Sequence, residues 1–148
     1  MVELKHAVAE DFDEIYALYG RNTDLLGPPF PAAIRLKIQE GEILIAVEDG
    51  NFLGFCNYHQ MGLHTTVYEI CVNELARGKG VGRQMVQFLI DTLHKPVQAK
   101  CVKDSTAEKF WSKIGKHLTD EPGKKRKLAV YRVEGQNTIK KRKLLEGF

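Results

Sequence analysis

Residues 67–90 read VYEICVNELARGKGVGRQMVQFLI, and the order of events within them decides the fold. An apolar, β-rich run closes at Val72. A turn that alternates glycine with other residues follows, Arg77-Gly78-Lys79-Gly80-Val81-Gly82. It leads without a break into apolar residues spaced four apart, Val81, Met85, Leu89 and Leu93, with Phe88 widening the stripe. Strand, glycine-rich turn and helix in that order suit the binding of a phosphate. Glycines let the backbone come close, and the first N–H groups of the helix point at the anion with the helix dipole behind them. Arg77, Lys79 and Arg83 add positive charge around the turn. Two other phosphate motifs are excluded. No GxxxxGK[ST] string occurs, and Gly80-Val81-Gly82-Arg83-Gln84-Met85 lacks the third glycine of a dinucleotide fingerprint.

Upstream, Thr65–Val72 follows two other strand-like runs, Ile43–Glu48 and Phe52–His59, which Asp49-Gly50 joins as a hairpin. Leu4 to Val8 can start the sheet. Asp11-Phe12-Asp13-Glu14 reads as a capping box opening a helix, with Phe12, Ile15, Tyr16 and Tyr19 as its buried stripe and Gly20 as its end. Residues 20–31 form a turn-rich loop. Pro31 and Gly41 bracket a second helix whose apolar residues are Ile34, Leu36 and Ile38. Downstream, Pro96 stops the helix begun at Val81, and Val97–Val102 is a short strand. Ser105 and Glu108 make another capping box, Ala107, Phe110, Trp111 and Ile114 give that helix its apolar face, and Gly115 ends it. After a basic turn, Leu128–Val133 is a last strand.

The chain has 148 residues, 43% of them hydrophobic, enough for one domain with a proper core. Residues 1–134 form that domain and 135–148 a polar, basic tail; no internal repeat or wide linker divides the chain. No apolar run approaches the roughly 20 residues of a membrane span. The first six residues lack a signal-peptide profile, so the expected location is the cytoplasm. Cys56, Cys71 and Cys101 lie far apart in apolar surroundings, which suits buried reduced thiols better than a disulfide framework or zinc, and no metal is expected. Net charge is +3, unevenly spread. From Lys116 onward ten Lys or Arg stand against four Asp or Glu, a surplus of six, and the first 115 residues carry a net of minus three. Such asymmetry suits either an acidic partner, nucleic acid included, or a solvated tail.

Arg77-x-x-Gly80-x-Gly82 matches the [RQ]-x-x-G-x-[GA] signature that holds the coenzyme A pyrophosphate in the GCN5-related N-acetyltransferase (GNAT) superfamily. The flanks resemble that family's fourth strand and third helix. DSTAEKFWSKIG, residues 104–115, is similar to its N-x-x-A-x-x-[FL]-Y-x-K-[LI]-G block, and AVAEDFDEIYALY, residues 7–19, to its usual first helix. The resemblance spans roughly residues 2–133. It implies an α/β (α+β) fold, a mixed central sheet of six to seven strands flanked by about four helices, with strands four and five splayed apart. It also implies acetyl-CoA as co-substrate. The cofactor-binding residues would be Ile70, Cys71 and Val72 on strand four, Arg77, Gly78, Lys79, Gly80, Val81, Gly82 and Arg83 in the loop, and Asp104, Ala107, Phe110 and Trp111 in the second block.

The implied chemistry is direct attack of an amine on the thioester, with a backbone N–H near Cys71–Val72 polarising the carbonyl. The side-chain roles depart from the family pattern. Its common base positions fall near Thr66 and on Ala99, and neither residue is an efficient base. Glu69 is the nearest carboxylate, able to face the cleft if its strand carries a bulge, and His59 and His64 are further candidates. Asp104 stands where the family often has Asn, and an ionised Asp cannot donate. Trp111 replaces the Tyr that often reprotonates the departing thiolate. Tyr68 or Tyr131 could substitute, the thiolate leaves unprotonated, or catalysis is weak.

The expected activity is therefore N-acetyl transfer to a primary amine on a small molecule or a protein, with Glu69 and Tyr131 as catalytic candidates. Residues 20–31 and Pro122–Lys127 would grip the acceptor, and the run Gly123-Lys124-Lys125-Arg126-Lys127 favours an acidic or phosphate-bearing one. Two alternatives remain. One is a nucleic-acid-associated protein using Lys124–Lys127 and Lys140–Lys143; the other is a non-catalytic coenzyme A binder. No membrane partner is expected, and the chain would act as a monomer or homodimer.

Overall fold

A computed structural model of the protein describes residues 1–135; the tail from residue 136 onward, including Lys140–Lys143, lies outside the described residues. Seven strands form one mixed sheet: β1 (Glu3–His6), β2 (Ile43–Glu48), β3 (Asn51–Gln60), β4 (Thr65–Val72), β5 (Val97–Val102), β6 (Lys116–Glu121) and β7 (Leu128–Val133), in the order β1-β2-β3-β4-β5-β7-β6. Four helices have nine residues or more: α1 (Phe12–Gly20), α3 (Pro31–Gln39), α4 (Val81–Leu93) and α5 (Thr106–Ile114). A single turn, α2 (Thr23–Leu26), sits inside the stretch expected to be loop. The parallel ladder between β4 and β5 pairs only Thr65–Val67 with Val97–Ala99, although the strands have eight and six residues. By its internal contacts the chain divides into two compact units, Met1–His59 with Tyr68–Met85, and Gln60–Val67 with the residues from Val86 onward.

In the first unit, α1 and α3 bury Phe12, Ile15, Leu18, Ile34 and Ile38 against Ile43, Ile45, Phe55 and Cys71 of the sheet. Asp49 and Gly50 both take positive φ, 52° and 77°, which the tight turn between β2 and β3 requires. Gly54 of β3 permits a close backbone approach. A Cβ there would lie 2.5 Å from the Cys71 carbonyl oxygen and 3.0 Å from the Val72 Cα, so a side chain would push β3 away from the end of β4. In the second unit, α5 packs on β5 and β7, with Trp111 only 3% exposed and Val97, Ala99, Ala129 and Val133 buried.

Several expectations are corrected. Asp11 does not cap α1. A 3-10 turn, Ala9–Asp11, precedes the helix and already holds Asp11 in right-handed helical geometry, so its Oδ2 reaches back to accept from the Val8 N–H at 2.8 Å. The buried stripe of α1 runs through Phe12, Ile15 and Leu18. Tyr16 is exposed and stacks on Phe12 at 5.5 Å, and Leu36 of α3 is likewise exposed. At α5, Ser105 Oγ accepts from the Glu108 N–H as expected, but Glu108 Oε1 takes the Asp104 N–H in place of that of Ser105. The first strand covers Glu3–His6, short of Val8. The basic turn after Gly115 is largely strand. β6 has no buried residue for periodicity to reveal, and pairing with β7 creates it.

Candidate acyl-transfer site

The turn before α4 is built as its glycines suggest. Gly78 and Gly80 hold φ of 79° and 82°, the left-handed region open to glycine at little cost. Ala76 and Val81, both buried, anchor the two ends, and α4 opens with the Gln84 N–H donating to the Gly80 carbonyl at 3.0 Å. Lys79 and Arg83 are exposed, beside the first N–H groups of a thirteen-residue helix. Arg77 is engaged elsewhere. Its Nε donates to the Val72 carbonyl and an Nη to Asn22 Oδ1, both at 2.9 Å, while Asn22 Nδ2 donates to the Leu18 carbonyl at 2.8 Å. Arg77 thus ties the end of α1 to the end of β4 and fixes where the loop begins. Left-handed glycines, free surface cations and a helix N-terminus fit a pyrophosphate group.

On β4, Glu69 is the group with the most altered chemistry. Burial raises its carboxyl pKa to about 7. Oε1 accepts from Asn57 Nδ2 at 2.9 Å, and Oε2 is shielded without a hydrogen-bond partner. Asn57 pairs with Ile43 across the β2–β3 ladder, so it shares the strand face of Phe55 and Ile45, the face covered by α1 and α3. Sequence reading did not single out Asn57 or Gly54. A glycine inside a strand pattern was a signal for the second, whereas Asn57 becomes visible only once register is known.

The remaining candidates are placed elsewhere. His59 Nδ1 pairs with Glu42 Oε2 at 2.7 Å, and Glu42 also accepts from Lys37 Nζ at 3.0 Å. His64 bonds Thr66 Oγ1 at 3.1 Å, and desolvation first, then Arg132 and Lys95, hold its pKa below the usual imidazole value. Tyr131 donates its hydroxyl to Glu108 Oε2 at 2.9 Å; desolvation and that carboxylate raise its pKa to about 12, so it holds its proton tightly. Asp104 has φ of 65° and is exposed, Ala107 and Phe110 are half-buried, and Trp111 is in the core. Tyr68 is 54% exposed, with Lys37 Nζ 5.6 Å from its ring centroid. All three cysteines are free and buried, and burial raises each thiol's pKa, that of Cys101 to about 11. None is an activated nucleophile.

The sequence profile of the Acetyltransferase (GNAT) family matches residues 7–115. The chain belongs to the GNAT family. Solved structures share its fold at low identity. An N-acetyltransferase from Staphylococcus aureus Mu50 is 24% identical, with a TM-score of 0.71 over 90% of this chain and 98% of that one. The ribosomal-protein-S18-alanine N-acetyltransferase from Escherichia coli is 17% identical, with a TM-score of 0.72 over 93% and 98%. PaiA N-acetyltransferase from Thermoplasma acidophilum, in complex with coenzyme A, is 11% identical, with a TM-score of 0.70 over 91% and 99%. No curated protein matches the chain in sequence. Among the described residues, no helix of this GNAT protein is long and apolar enough to cross a membrane.

Proposed function

We propose that this GNAT protein transfers the acetyl group of acetyl-CoA to a primary amine, with Glu69 as the general base. The carrying observation is the Glu69 carboxyl, whose pKa near 7 lets it take a proton from an ammonium and release it again near neutrality. The ammonium gives one proton to Glu69, the freed nitrogen bonds to the acetyl carbon, the carbon–sulfur bond breaks, and the departing thiolate takes the second proton from that nitrogen while Glu69 returns the first to solvent. The turn from Gly78 to Arg83 would hold the pyrophosphate. The Ile70–Val72 backbone would lie along the pantetheine arm, with the Val72 carbonyl reserved for Arg77. Proteins of the same fold include the ribosomal-protein-S18-alanine N-acetyltransferase and an N-acetylglutamate synthase complexed with coenzyme A and N-acetyl-glutamate, so both protein and small-molecule acceptors suit this reading.

Acetyl-CoA should raise the melting temperature, and thiol release should follow when an amine panel is added. Gly82 is buried, so the loop is better tested by charge reversal at exposed positions. Lys79→Glu with Arg83→Glu should weaken acetyl-CoA by at least about tenfold, as two lost contacts to a charged group imply. Unchanged affinity in the folded double variant would show that the loop is not the pyrophosphate site.

A further inference from the structure

A base explains how the amine loses its proton; it does not explain how this site chooses an amine. Asn57 and Glu69 are joined by one hydrogen bond, and each retains one shielded oxygen, Asn57 Oδ1 and Glu69 Oε2, without a hydrogen-bond partner. Once ionised, the carboxylate fixes the amide's orientation, because the reversed amide would face oxygen against oxygen. What remains is two unpartnered acceptors on neighbouring side chains, beside the one amide N–H that Glu69 does not use. Both residues keep partial exposure. Their terminal torsions are soft, so rotation can turn either free oxygen toward an entering group.

We infer that Asn57 and Glu69 together form the seat of the acceptor's ammonium group, with Asn57 selecting cationic primary amines. An occupant must bring donors in two directions, which a hydroxyl with one O–H and a tertiary or quaternary amine cannot do. The carboxyl adds a preference for positive charge and repels an anion. An alkylammonium meets both demands, giving one N–H to Asn57 Oδ1 and another to Glu69 Oε2. The second proton is then already directed at the base. Asn57 is on this account a specificity and positioning residue, and the inference rests on the acetyl-transfer reading only for what happens to the amine afterwards.

The test follows the Glu69 carboxyl by carbon-13 NMR in the full chain without acetyl-CoA, titrated with n-butylammonium, tetramethylammonium or butanol. Butylammonium should lower the apparent pKa of Glu69, while the other two leave it in place. Asn57→Leu should weaken the butylammonium response by about tenfold, as loss of a hydrogen bond to a charged group implies. Asn57→Ser serves as a milder change if the leucine variant does not fold. In turnover, Asn57→Leu should raise KM for primary amines more than it lowers kcat. If saturating butylammonium leaves the Glu69 titration unchanged in the folded protein, the seat does not exist. A Glu69 response without thiol release would uphold the seat and overturn the acetyl-transfer reading. Thiol release with an unaltered KM in Asn57→Leu would do the reverse.

Discussion

A carboxyl half-buried within a strand is costly in its charged form, and Glu69 accepts that cost with one hydrogen bond from Asn57 and nothing on Oε2. The consequence can be measured through pH. Its folded pKa, about 7, lies above the roughly 4.3 of an unfolded chain, so the folded state binds more protons between those values. This contribution to stability is fully present below about pH 4.3 and is lost as pH rises through 7. Glu69→Gln cannot ionise, so it should match the wild type in acid and become more stable above pH 7. The gain should be about 2 kcal/mol, after discounting for partial exposure. Turnover should move the other way, falling by about 100-fold with little change in acetyl-CoA affinity. Thermal melts from pH 4 to 9, beside thiol release, check both; a variant no more stable at pH 8 than the wild type would show that Glu69 carries no desolvation cost. At this scale the sequence offers the carboxylate as a candidate but not its partner. Glu69 stood out as the nearest acid to the family's base positions. Asn57, twelve residues earlier, looked like one more polar residue on a strand.

At the scale of elements, the legible parts were those whose burial is one-sided and whose ends are punctuated. β2, β4, β5 and β7 fall within the bounds that apolar runs and turn residues suggest, and α3 starts at Pro31 with Gly41 just beyond its end. β6 was not legible because hydrogen bonds to β7 hold it, while its side chains face solvent or ion pairs such as Lys103–Asp120 and His117–Asp120. Position within an element also decides what a substitution costs. Gly54→Ala should destabilise the protein by about 1–3 kcal/mol, because the new methyl meets backbone, which yields less readily than a side chain. A denaturant titration showing no loss would mean that β3 can shift freely against Cys71–Val72. Trp111 makes a second case. At 3% exposure, with Phe110 edge-on at 5.0 Å, its ring fills the space between α5 and the strands. Trp111→Ala should cost about 3–5 kcal/mol, whereas Trp111→Phe keeps an aromatic filler and should retain the fold and most of the turnover. Loss of turnover in a folded Trp111→Phe with intact cofactor affinity would assign the indole N–H a part in the reaction.

At the scale of the whole molecule, charge is unevenly spread, with a surplus of cations from Lys116 onward. The acids nearest the turn before β7 are committed: Asp120 to Lys103 and His117, and Glu121 to Lys100. Those partners, Lys103 first, hold the Asp120 carboxyl down to about 2, so Asp120 stays ionised across the working pH range. Lys124, Lys125, Arg126 and Lys127 are all exposed beyond it, four cations in sequence on a turn. Their field, unlike that of a paired ion, extends into solvent and is screened over about 8–10 Å at physiological salt. If the acceptor carries a phosphate or carboxylate, this turn should draw it in and raise kcat/KM chiefly through encounter. Replacing Lys124, Lys125 and Lys127 together by Ser leaves β7 and its ladder untouched. The triple variant should therefore melt like the wild type and turn over neutral amines equally well. With a phosphate-bearing amine, wild-type kcat/KM should fall several-fold, about 3–10-fold, between low and high salt, and the variant should start lower and respond less. Equal salt dependence in both proteins would make the turn a merely solvated surface, and would remove the reason to look for an anionic acceptor.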